Sequence, residues 1–344
     1  MDKIVFVIGT TKGGGAEKRA ILISKLLKDH FDTKVFAFYG ENDGDIDYVY
    51  RPSYSLYKNT KRSARIKTLR EYLIKEKPRY VFSFIPFINF FTTRALKTKY
   101  LSNVKHIIGV VNIKTIFISN ILFKYSIRHA DAIYFQCKDQ QEAIKSKIFS
   151  FVLANPINVP PLKEKTTKYR MMSIGRLEDQ KDFQFMIRSF KKISENIPNA
   201  TLDIYGDGDL KEELQKLIDD LSLTNVVTLN NYRKDIESVF DSHDIFLFTP
   251  KFEGFPNALA EAMAHNLICF STNFMTGCKD LIINGETGYS CEKDVDLYAN
   301  LVVNNLSNYE KNLVISRNGY NHIKSLCDIT NYSNALIDIL AKLN

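Results

Sequence analysis

A chain of 344 residues exceeds one comfortable core and fits two domains of ordinary size. Its 45% hydrophobic and 25% charged residues exclude a disordered or fibrous chain, and no apolar run reaches the roughly 18 residues of a membrane span. A net charge of +8 calls for an anionic partner.

Met1-Asp-Lys leads straight into an apolar strand over 4–8, which predicts a chain without a signal peptide. Next come Gly13-Gly14-Gly15-Ala16-Glu17-Lys18-Arg19, a helix over 20–28 and a strand over 34–38. A helix over 66–74 and strands over 80–84, 106–111 and 132–135 follow. Basic residues concentrate over 51–79, opposed there only by Glu71 and Glu76. No zinc-finger spacing or aromatic RNA-binding signature accompanies them, which speaks against nucleic acid. An anionic membrane surface would attract the cluster at about 1 kcal/mol per basic residue near the lipid; a solvated polar helix face accommodates it as well. Periodicity stops at Asn155-Pro-Ile-Asn-Val-Pro-Pro, an interdomain linker. It restarts with strands over 169–174, 201–205, 226–229, 245–248 and 267–271 and helices over 183–193 and 210–220. An amphipathic helix over 332–343 closes the chain. Alternating strands and helices predict parallel sheets in an α/β fold of two successive Rossmann-like domains facing a cleft. Five cysteines (Cys137, Cys269, Cys278, Cys291, Cys327) lack metal-type pairing and predict reduced thiols in a cytosol.

Glu253-Gly-Phe255-Pro256-Asn257-Ala258-Leu259-Ala-Glu261 follows the apolar strand over 245–248 and opens a helix, with Pro256 expected in its first turn. A sharp strand-to-helix turn presents backbone N–H groups and a positive dipole end, a seat for a diphosphate. The two carboxylates then flank that seat, the layout of a nucleotide sugar. Gly175-Arg176 and Lys181 close the first strand of the second domain, at a helix start where cations are mildly disfavoured. Such placement suits binding of an anion. Asp207-Gly-Asp209 suits a turn and a helix start rather than a metal site.

Glu-x7-Glu enclosing Gly-Phe-Pro-Asn, together with Gly-Arg-Leu…Lys at 175–181, resembles retaining GT-B glycosyltransferases of family 4, of the bacterial surface-polysaccharide type. The resemblance implies that Glu261 holds the ribose, Glu253 contacts the transferred sugar, and Phe255 to Leu259 hold the sugar–diphosphate junction. Arg176 and Lys181 would hold the diphosphate, with Gly175 beside them. Tyr232 and Arg233 match the loop that meets the base, though a plain loop reads equally well. Gly14 and Gly15 resemble a segment that approaches the donor phosphates or the acceptor, and a tight turn is an equal reading. Arg19, Asn89 and Asn112 are expected on the acceptor side; Val110-Val111-Asn112 stands where many relatives carry His or Arg. The expected domains are 1–158 on the acceptor side, 159–326 for the nucleotide sugar, and a helix over 327–344 crossing back. The implied activity is metal-independent, retaining transfer of a hexose, UDP-linked, to a saccharide acceptor on a lipid carrier. No cofactor is expected, and the place is the inner face of the cell membrane. A nucleotide-sugar epimerase, an inverting GT-B transferase and a non-catalytic sugar-nucleotide or membrane-binding module are the alternatives.

Overall fold

The computed structural model describes residues 1–11, 15–39, 49–50, 62–111, 120–165, 169–274 and 276–343. Gly14, Asn112 and residues 51–61 of the basic run over 51–79 lie outside the described residues. The chain divides into two units, Met1–Pro156 with Ile329–Asn344, and Ile157–Asp328.

In the first unit, apolar runs without polar alternation become strands covered on both faces, as parallel sheets require. These are β1 (Lys3–Thr10), β2 (Asp32–Tyr39), β3 (Val49–Tyr50), β4 (Tyr80–Phe84), β5 (Lys105–Gly109), β6 (Ala132–Phe135) and β7 (Ser150–Val152). Helices α1 (Gly15–Leu26), α2 (Arg62–Glu76), α3 (Pro86–Leu96), α4 (Asn120–Ile127) and α5 (Lys138–Ala143) connect them. Among the described residues the sheet runs β3-β2-β1-β4-β5-β6-β7, parallel throughout. Phe6 and Phe82 stack across neighbouring strands with centroids 5.1 Å apart. The expected strand over 106–111 ends early, at Gly109. Its neighbour Phe84 fills the space that a Cβ there would occupy, 2.2 Å away.

The second unit places α6 (Phe183–Asn196), α7 (Lys211–Asp220), α8 (Glu237–Asp241), α9 (Asn257–Ala264), α10 (Cys278–Leu281), α11 (Val295–Leu306) and α12 (Tyr309–Cys327) around a second sheet. Its strands are β8 (Arg170–Ile174), β9 (Thr201–Tyr205), β10 (Val227–Asn230), β11 (Ile245–Phe248), β12 (Ile268–Thr272) and β13 (Tyr289–Cys291). Among the described residues their order is β10-β9-β8-β11-β12-β13, again parallel. Met171, Phe190, Leu202, Leu247 and Phe270 are at the centre of its core.

The chain then returns to the first unit as α13 (Ile329–Ala341). Tyr332, Leu336 and Leu340 join the cluster of Ile4, Phe6 and Tyr80. Two long-range hydrogen bonds fix the helix: Tyr80 Oη donates to Leu340 O at 3.0 Å, and the hydroxyls of Tyr134 and Tyr332 lie 3.1 Å apart.

Candidate functional site

In the second unit the chain moves outward from β8 to β9 and β10, then lays β11, β12 and β13 on the other side. Strand order therefore reverses between β8 and β11, and a doubly wound sheet opens a crevice there, outside the carboxyl ends of its strands. Loops leaving these strands line a cavity of about 640 Å³. Gly175, Arg176 and Lys181 come from the β8 loop, Tyr205 and Asp207 from β9, and Tyr232 and Arg233 from β10. Glu253, Phe255, Asn257, Ala258 and Glu261 come from the β11 loop and α9.

An ion pair lines the cavity. Lys181 Nζ lies 2.6 Å from Glu253 Oε1, with side chains only 18% and 9% exposed. Gln180 Nε2 donates to Glu253 Oε2 at 3.3 Å and to Phe252 O at 3.1 Å, holding the carboxylate from its other side. The ammonium also sits 5.6 Å from the centre of the Phe248 ring. Gly175 makes room for this arrangement: a Cβ there would press on the Lys181 stem at 3.2 Å. Arg176 is more open and engages Glu178 at 2.8 Å.

Helix α9 begins beside this pair. Pro256 is its N-cap rather than a first-turn residue, because the helical backbone starts at Asn257, and no side chain caps it. The first-turn N–H groups and the positive end of the helix dipole thus lie at the cavity wall formed by Asn257 and Ala258. Leu259 is fully buried, so only its backbone can serve a ligand, which is the kind of contact the resemblance implies.

On the other side, Gly206 lets the β8 and β9 loops meet, since a Cβ there would fall 1.9 Å from Gly175 O. Asp207 Oδ2 accepts the Tyr232 N–H at 3.1 Å and so ties the β9 loop to the β10 loop. His243 and His265 are buried, and His265 is the C-cap residue of α9. His243 Nε2 lies 2.9 Å from Asp203 Oδ2, and His265 stacks on Phe240 with centroids 4.8 Å apart. Sequence reasoning passed over Gln180 and Tyr205. The one signal for Tyr205 was its place as last residue of a strand before Gly-Asp-Gly.

The expected acceptor-side residues of the first unit take interior positions. Arg19 is buried, with Nη1 donating to Asn155 Oδ1 at 2.9 Å and its guanidinium carbon 4.8 Å from the Phe84 ring centre. Asn89 is buried as well, accepting from Ser83 Oγ at 2.8 Å. Ser83 also pairs with His106 Nε2 at 2.8 Å. Both side chains are buried, and Arg19 keeps Nε and Nη2 without a hydrogen-bond partner among the described residues. Gly15 opens α1 and is exposed.

Residues 155–322 match the family described as glycosyl transferases group 1, a window that contains the whole cavity. An uncharacterized glycosyltransferase of Methanocaldococcus jannaschii is 34% identical over 178 residues, 46% of this chain and 44% of that protein. The UDP-Gal:alpha-D-GlcNAc-diphosphoundecaprenol alpha-1,3-galactosyltransferase of Escherichia coli is 31% identical over 188 residues, 50% of this chain and 48% of that protein. The chain spans about half the length, or less, of the curated relatives it matches. Among solved structures, HepE of Anabaena in complex with UDP superposes with a TM-score of 0.81 at 16% identity, covering 99% of this chain and 100% of that one. Residues 155–322 are therefore similar to group 1 glycosyl transferases, within a chain of the GT-B fold built from two Rossmann-like units.

Proposed function

We propose that the protein is a retaining, metal-independent hexosyltransferase of glycosyltransferase family 4. It moves glucose, galactose or an N-acetylhexosamine from a UDP-linked donor to a saccharide hydroxyl on a lipid carrier, in bacterial surface-polysaccharide synthesis at the inner face of the membrane. One observation carries the reading: a desolvated Lys181–Glu253 pair at the switch point of the sheet, next to an N-terminus that no side chain caps. HepE, crystallised with UDP, and the Escherichia coli galactosyltransferase, named for a diphosphoundecaprenol-linked acceptor, support the donor and acceptor classes.

In this reading the donor diphosphate sits between Arg176, Lys181 and the first turn of α9. Breaking the sugar–phosphate bond adds negative charge to the departing nucleotide. Cations already fixed by Glu253 and Glu178 stabilise that charge more in the transition state than in the ground state. Glu253 orients the sugar hydroxyls, Glu261 anchors the ribose, and the loop of Tyr232 and Arg233 faces the base.

A panel of nucleotide sugars, read by thermal shift and by hydrolysis, tests the donor. Proton NMR of the product then tests the stereochemistry. A single UDP-sugar response with retained anomeric configuration is expected. Inverted product would overturn the retaining assignment, and binding without turnover across an acceptor panel would overturn the transferase. Turnover is expected to survive chelation by EDTA, because protein cations supply the countercharge; loss restored by a divalent ion would refute metal independence.

A further inference from the structure

The 54 residues from Lys77 to Ala130 contain nine Lys or Arg and no Asp or Glu. The chain's whole positive excess of +8 lies in this stretch, the remainder balancing to within one charge. Folding gathers part of it on one surface. Helices α3 and α4 follow the neighbouring parallel strands β4 and β5 and pack against each other, joined by Phe90 and Tyr125 with ring centroids 5.4 Å apart. Around Tyr125 stand Arg94, whose Nη1 is 3.5 Å from the hydroxyl, and Lys97, whose ammonium is 4.9 Å from the ring centre. Lys124 and Arg128 are exposed alongside. Among the described residues none of these four cations has a carboxylate partner, whereas Lys163, Lys192, Lys251 and Lys293 of the second unit each do. Toward the amino ends of the same two helices, Ile121 is 84% exposed and Phe87 46% exposed. Arg62 from α2 reaches to 6.0 Å from the Phe87 ring centre.

We infer that the α3–α4 face is a docking surface for an anionic lipid bilayer, with Ile121 and Phe87 entering the headgroup region and Arg94, Lys97, Lys124 and Arg128 pairing with lipid phosphates. Uncompensated cations with long apolar stems beside an aromatic ring suit an interface that is apolar on one side and anionic on the other. The sequence pointed to the basic residues over 51–79 and to apolar stretches over 82–91 and 116–125; of these, Phe82, Phe84 and Phe91 belong to the core, while Phe87 and Ile121 are exposed on this face.

This surface stands on charge and exposure, independently of the donor reading, so the test omits nucleotide. Full-length protein is floated with vesicles of phosphatidylcholine containing about one-third phosphatidylglycerol, and with pure phosphatidylcholine. Partition into the anionic vesicles alone is expected, weakening as salt rises. The triple variant Lys97→Glu, Lys124→Glu, Arg128→Glu should lose at least about tenfold in partition coefficient. Ile121→Asp, at an exposed position, should lower the salt-resistant fraction. Thermal shift by nucleotide sugar, unchanged in both variants, would show an intact fold and donor site. Equal binding to neutral vesicles, undiminished binding of the triple variant, or capture by RNA without vesicle binding would each overturn the inference.

Discussion

Lys181 and Glu253 are worth more to each other than surface charges are. Removing one partner of a desolvated pair strands the other, at a cost of about 3–5 kcal/mol where burial is complete and less at their partial exposure. Lys181→Ala is expected to lower kcat by about a hundredfold or more while donor Kd changes little, the signature of an interaction made in the transition state. Equal loss in both constants, measured by steady-state kinetics and calorimetric titration, would assign Lys181 to ground-state binding instead. In the first unit, burial pushes the His106 imidazole down to about 3 from its ordinary 6.5. The unfolded chain then binds the extra proton between those values, so this contribution is whole above about pH 6.5 and is lost as pH falls toward 3. Melting temperature should drop between about pH 7 and about pH 5, and less steeply in His106→Asn, whose parallel slope would show that other groups set the acid limb. Neither residue's environment was visible in the chain. The Gly-Arg-Leu…Lys spacing marked Lys181, but its partner stands 72 residues away. Likewise nothing in the Gly-Gly-Ala-Glu run showed that the fold sets Arg19 between Phe84 and Tyr134.

At the scale of elements, the strands were legible wherever both faces are covered. Ile245–Phe248 is apolar without alternation between Asp244 and Thr249, and Tyr80–Phe84 is broken only by Ser83. Several helices were not. Pro86–Leu96 is rich in Phe, Ile and Thr, and Val295–Leu306 holds valines and asparagines, types with weak helix preference that tertiary packing overrides. The turn after β9 shows how closely loops depend on one another. Gly206→Ala would drive a Cβ into Gly175 O, so the β8 and β9 loops must part. We expect a loss of about 1–3 kcal/mol in chemical denaturation, as for other overpacked sites. Weaker nucleotide binding should accompany it, because Gly175 carries Lys181; unchanged affinity would mean that the loop ends move independently.

For the molecule as a whole, α13 makes the first unit discontinuous in sequence, since residues from both ends of the chain complete one core. Leu336→Ala should cost about 2–5 kcal/mol. Hydrogen exchange should report that loss in β1, β4 and β6 and leave β8 and β11 protected; uniform deprotection would indicate a single cooperative unit. The amino-acid sequence by itself determined two α/β units, the order of most of their strands along the chain, and the residue types gathered near a diphosphate seat. Those follow from local periodicity and from motifs that lie within a few residues of one another. Only the tertiary structure decided which of those residues share a cavity, which are consumed by the core, and which cations remain without a counter-ion. The reason is physical: burial and pairing are set by neighbours brought together across tens to hundreds of residues, and a carboxylate's distance from an ammonium is not written in their spacing along the chain.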